Sequence, residues 1–119
     1  MAAPVVHFEI AGRDRKKSEK FYSDLFGWEI KTYEGMDYGM VDAAGEKSIG
    51  GGIGPTPPGG GPYVTFYVMV PDLQASLNKA ESLGGKTVLP VTPIPGVGHC
   101  AMFTDPDGNM IGLFKPNEM

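Results

Sequence analysis

The chain has a single cysteine, Cys100, among 119 residues. No intrachain disulfide can form, and no thiolate zinc site can be built. Charge of one sign is not in excess either. Ten Lys and Arg stand against 14 Asp and Glu, a formal charge of −4. A mildly acidic chain offers no electrostatic grip on nucleic acid or on an anionic membrane surface. No apolar run approaches the roughly 20 residues of a membrane helix. The opening MAAPVVHFEIAGR has no basic stretch followed by a long apolar one, so it does not read as a signal peptide. The expected compartment is the cytoplasm. With 41% hydrophobic and 20% charged residues the composition is globular. At 12.7 kDa the chain is large enough to bury a core without staples.

Glycine and proline are plentiful but unevenly placed. Of the 13 residues from Gly50 to Pro62, 11 are one or the other. Such a run cannot sustain a helix and makes a poor strand interior. It reads as a linker, with a strand ending at its front. It is no phosphate loop, having neither the G-x-x-x-x-G-K-[ST] pattern nor a helix behind it.

The halves on either side resemble each other. A shift of 58 residues lays 5–30 on 63–88, with identities at Val6/Val64, Phe8/Phe66, Asp14/Asp72, Ser18/Ser76, Leu25/Leu83 and Gly27/Gly85. Several fall where structure demands them. Asp14 and Asp72 precede helical patterns, where an aspartate caps free N–H groups. Gly27 and Gly85 follow them, where a left-handed residue ends a helix. An internal duplication is the reading, each copy too small to bury its own core.

Periodicity supplies the elements. Strands are predicted at 5–11 and 63–70, the second with Val64, Phe66, Val68 and Val70 on one face. Helices are predicted at 15–26, with Phe21, Tyr22, Leu25 and Phe26 as the apolar side, and at 73–83, with Leu73, Leu77, Ala80 and Leu83. Further strands follow at about 28–34, 37–42 and 47–52, then at 86–91, 99–104 and 109–115. Asp105-Pro-Asp-Gly-Asn109 is a tight turn. It is not a calcium loop, since the position of the bidentate glutamate is Pro116. The order β-α-β-β-β, twice, is an α+β fold.

That doubled order resembles the glyoxalase, bleomycin-resistance and extradiol-dioxygenase superfamily, the vicinal oxygen chelate proteins. HFEI followed by KFYSDLFGWEI is similar to the family's opening strand and helix. VTFYVMVPDL and ESLGG repeat them, and FTDPDGNMIGLF is similar to its closing hairpin. The resemblance implies a single glyoxalase-like domain of two tandem βαβββ modules, about 4–53 and 62–116, joined by a linker at 54–61. It implies a curved, cup-shaped mixed sheet with the helices outside and the chemistry in the cup. Metal-dependent members hold an ion with four side chains from equivalent strands. Here His7 matches one position, but Thr65 and Gly112 stand at two others, and only glycines with Ile49 or Ile53 at the fourth. One imidazole cannot hold a divalent ion against water. No metal and no cofactor are therefore expected.

His7 and Glu9 are two apart on a strand and share a face. They are read as ligand contacts, and as the candidates for proton transfer if a reaction occurs. Ligand-binding residues are expected at His7, Glu9, Thr65, Tyr67, Met110 and Gly112, with Tyr38, Met40, Met69 and Phe114 lining the same faces. A carboxylate beside His7 is expected to raise its pKa more than burial lowers it. His99 and Cys100 are adjacent and so face opposite ways, which argues against a Cys–His pair; Cys100 is expected to be buried. The basic cluster Arg13, Arg15, Lys16, Lys17 and Lys20 reads as a solvated helix face with some internal pairing, or as an anion site at the helix start. The expected function is a metal-free small-molecule-binding protein, acting as a homodimer. The alternative is a glyoxalase-like lyase or isomerase using His7 and Glu9, and a third reading is an interaction module with a closed cup.

Overall fold

The computed structural model describes residues 2–33 and 35–117. The element order is β1 (Val5–Gly12), α1 (Arg15–Phe26), β2 (Ile30–Thr32), β3 (Gly39–Val41), β4 (Gly50–Pro55), β5 (Tyr63–Met69), α2 (Leu73–Ser82), β6 (Lys86–Ile94), β7 (Gly98–Thr104) and β8 (Met110–Pro116). The fold is mixed α+β, as expected from the order of periodicities. Two compact units divide the chain. One is His7–Thr65; the other joins the N-terminal segment up to Val6 with the chain from Phe66 onward.

The duplication is written into the pairing. In the first copy the strand order is β2-β3-β4-β1, and in the second β6-β7-β8-β5. Each copy pairs its first strand with its last in parallel, and its remaining neighbours antiparallel.

Both helices begin as the sequence requires. The Asp14 carboxylate accepts from the Lys17 N–H, and Asp72 accepts from the Ala75 N–H. Gly27 closes α1 in the left-handed region, at φ 72°. The second helix corrects the expectation. Its left-handed residue is Gly84, at φ 101°, not Gly85. The Gly84 N–H bonds to the Glu81 carbonyl and the Gly85 N–H to the Ala80 carbonyl, the Schellman pair. Gly85 is needed instead for close approach, since a Cβ there would lie 2.6 Å from the Thr104 carbonyl oxygen.

In the second copy the core is aliphatic. Leu73 and Leu77 of α2 pack with Val70, Ala101 and Leu113, flanked by Val68 and Phe103. The apolar face of β5 is only partly covered. Val64 is 73% exposed and Phe66 is also exposed, while Val70, just past the end of the strand, is buried. β6 is an edge strand within its unit, which is where Pro90 and Pro93 can be tolerated.

In the first copy the expected boundaries move. The strand expected at 28–34 is only Ile30–Thr32, and Glu34 lies outside the described residues. The one expected at 37–42 is Gly39–Val41, and the one at 47–52 is Gly50–Pro55. The glycine run is therefore strand up to Pro55, with Gly51, Gly52, Ile53 and Gly54 buried. Glycine wins there because rings lie on the bare backbone. A Cβ on Gly51 would fall 2.3 Å from the Phe8 ring, and one on Gly52 would fall 2.0 Å from the Tyr38 ring.

Candidate functional site

The pleat of β1 sends His7 and Glu9 out on one face, and the parallel register sets them opposite Gly50 and Gly52 of β4. Glycines on β4 leave room for one large side chain, and Tyr38 takes it. Tyr38 precedes β3, and its ring covers Gly52 and Gly54. Its hydroxyl lies 2.8 Å from His7 Nε2 and 2.9 Å from Glu9 Oε1. The Tyr63 hydroxyl donates to the other carboxylate oxygen, Glu9 Oε2, at 2.7 Å. Glu9 is only 7% exposed, so these hydroxyls replace water that the carboxylate would otherwise need.

The hydrogens can be counted. The Tyr38 hydroxyl has one hydrogen, which it donates to Glu9. Toward a neutral His7 ring it then accepts, which puts the His7 proton on Nε2. Burial lowers the His7 pKa from its ordinary 6.5, and the nearby Glu9 charge offsets that only in part. The expectation that the carboxylate would dominate is thus reversed. The ring is more deeply desolvated than an open site would make it.

The remaining predicted residues fall into two places. Thr65 is buried in the same unit as His7 and Glu9. Tyr67, Met110 and Gly112 belong to the other unit. Tyr67 sits opposite Gly112 in the parallel β5/β8 pair, and its ring occupies the space a side chain there would need, 2.4 Å from a Cβ. Met110 is half-buried at the start of β8. The sequence puts Tyr38 on the binding face, and folding makes it the bridge between His7 and Glu9. Tyr63 was missed, although it alternates in step with Thr65 and Tyr67.

The side readings resolve similarly. His99 is exposed opposite Lys115, while Cys100 is half-buried opposite Phe114, less buried than expected. Asp105 closes its own turn, accepting from the Asp107 and Asn109 N–H groups and from Asn109 Nδ2. Within the basic cluster, Arg15 pairs with Glu19 and with Asp37, and Lys20 pairs with Asp24.

A family-type metal centre does not fit these residues. Among the described residues no group of three or more His, Cys, Asp or Glu side chains comes together. At Gly112 and Gly52, tyrosine rings fill the volume a carboxylate ligand would require. Also among the described residues, no helix is long and apolar enough to cross a membrane.

Comparison with known proteins matches this architecture. The protein CFP32 of Mycobacterium tuberculosis, a glyoxylase by name, is 32% identical over 112 residues, covering 87% of this chain and 42% of that protein. The chain thus spans under half of that relative's length. A glyoxylase-like domain-containing protein of Didymella fabae is 29% identical, covering 85% of this chain and 84% of the relative. Among solved structures, methylmalonyl-CoA epimerase from Mycobacterium tuberculosis superposes with a TM-score of 0.66 at 18% identity, covering 94% of this chain and 87% of that one. At that identity the likeness speaks for the fold alone. A family model for the Glyoxalase/Bleomycin resistance protein/Dioxygenase superfamily matches residues 5–113. With the doubled pairing pattern and this match over nearly its whole length, the chain belongs to that superfamily.

Proposed function

We propose that the chain binds a small molecule at the His7–Tyr38–Glu9 group, and that it does so without a metal ion. The observation that carries this reading is the Tyr38 hydroxyl, held between His7 Nε2 and Glu9 Oε1. That hydroxyl holds the two groups together by hydrogen bonds alone. Within this network the hydroxyl hydrogens go to Glu9 and the imidazole hydrogen goes to Tyr38, so toward a ligand it acts through acceptors and suits a polar group that donates. Thr65, of the same unit, remains a further ligand contact of this reading. It also takes the protein as a cytoplasmic homodimer, for which a monomer mass in light scattering would be the contrary result.

The test is a thermal-shift screen of chelator-treated protein against small metabolites and planar drug-like compounds. A compound that stabilises the parent but neither His7→Ala nor Tyr38→Phe supports the reading. Stabilisation that appears only after a divalent metal is added overturns it.

A second reading, a lyase or isomerase, is favoured by one specific feature. The hydrogen-bonded chain from His7 through Tyr38 to Glu9 can pass a proton, and burial keeps the imidazole neutral, as a general base requires. Solvent deuterium entering the bound compound in the parent, but not in His7→Ala, would decide for it.

A further inference from the structure

The duplication makes one difference between the copies informative. At the C-terminal end of α1 the first copy packs four rings. Trp28 stacks on Tyr22 at 5.4 Å and lies against Phe8 and Phe26, both at 5.2 Å. The 58-residue correspondence puts Phe66, Ala80, Gly84 and Lys86 at those positions in the second copy. Three of the four rings are gone.

The structure has a hollow beside the same end of α2. Its volume is about 310 Å³, and its apolar walls are Ala80, Leu83, Phe103, Pro106 and Leu113. That is the lower end of the size range of small-molecule sites, roughly 300–1,000 Å³. Ala80, the counterpart of Tyr22, is on its wall. The charges around it are of two kinds. Asp105 is committed to its own turn, with three hydrogen bonds on its carboxylate. Lys79 also lines the hollow, and among the described residues it enters no ion pair. Apolar walls that include one phenyl ring, with an uncommitted ammonium at their edge, complement a flat apolar body carrying one negative charge.

We propose that this hollow is a binding site for a small aromatic carboxylate, whose ring takes the place that Tyr22 fills in the first copy and whose carboxylate meets Lys79. The site is separate from the His7 group and does not depend on how that group functions. Occupancy would tie the end of α2 to the Asp105–Asn109 turn, much as the ring cluster ties α1 to its own sheet.

The experiment is a titration of the ¹⁵N-labelled full chain with 2-naphthoate, read by amide shifts, beside its neutral analogue 2-naphthalenemethanol. Saturable shifts at Leu83, Gly85 and Phe103 are expected, with the neutral analogue about tenfold weaker for loss of the charge-assisted contact. Lys79→Gln should bring the affinity for naphthoate down to that of the analogue. Ala80→Tyr, which restores the first copy's ring, should abolish the shifts while leaving the spectrum folded. Should Ala80→Tyr not fold, Lys79→Gln carries the decision alone, because its side chain is exposed. The proposal is overturned if no shift saturates, if the shifts centre on His7 and Glu9, or if both probes bind Lys79→Gln and the parent equally.

Discussion

The two helices start from the same cap and share an amphipathic pattern, yet only one is buried in its module. In α2, Leu73 and Leu77 sit one turn apart on the sheet side, and Leu77 is 1% exposed. The corresponding positions in α1 are Arg15 and Glu19. There an ion pair takes the place of two leucines, with side chains 12% and 17% exposed, and Glu19 lies against Gly39 of β3. No residue of α1 is buried, and Phe21, Leu25 and Phe26 stay more than half exposed. One copy is held by aliphatic packing under its helix. The other adds rings on glycine backbone and paired polar groups to the buried Ala11, Val41 and Ile53 of its sheet. Similar periodicity therefore does not mean similar energetics; the residue type at two positions decides what the helix contributes.

Truncation at the aliphatic contact should show the largest effect. Leu77→Ala should cost about 2–5 kcal/mol, the range for emptying a fully buried leucine site. Its check is the urea midpoint at unchanged slope. A midpoint shifted no more than that of a surface variant would remove the contrast between the helices.

The polar counterpart comes next. Glu19→Ala leaves Arg15 largely covered with Asp37 as its ion-pair partner and Thr32 Oγ1 at 3.5 Å, and should cost about 1–2 kcal/mol. Replacing both, Arg15→Leu with Glu19→Leu, should recover that loss or exceed the parent, as apolar replacement of covered ion pairs commonly does. A double variant weaker than Glu19→Ala would show that the pair stabilises the first copy in a way leucines cannot.

Acid should act through the first copy. His7 has a folded pKa below its ordinary 6.5, because burial outweighs the Glu9 charge. The unfolded chain then binds the proton first, so stability is full above pH 6.5 and falls as the pH drops from there toward the folded value. The comparison is the change in urea midpoint between pH 7.5 and pH 5.5 in the parent and in His7→Gln (pH values about one unit either side of that ordinary value). A steeper loss in the parent is expected. Equal losses would place the acid sensitivity elsewhere.

The smallest effect belongs to the exposed ring face. Phe21→Ser should change the stability of the isolated chain by about 0.5 kcal/mol or less, the usual limit for exposed positions. A loss several times larger would mean that this face is covered in solution.

Much of the scaffold is legible in the sequence. Caps at Asp14 and Asp72, the left-handed Gly27, the Asp105 turn and the doubled order of elements are local signals, written in a few adjacent residues each. The shared face of His7 and Glu9 follows from the two-residue repeat of a strand. What stayed hidden depends on partners distant in sequence. Tyr38 is 29 residues from Glu9, and Tyr63 is 54 away, so no window of periodicity links them. The glycine run looked like a linker because glycine weakens a strand when nothing packs on it. Only folding brought the Phe8 and Tyr38 rings over β4 and made bare backbone the residue choice that fits. The same holds for the balance at His7. The charge next to it could be read from the sequence, but the desolvation that overrides it is set by how much protein surrounds the ring, which only the tertiary structure decides.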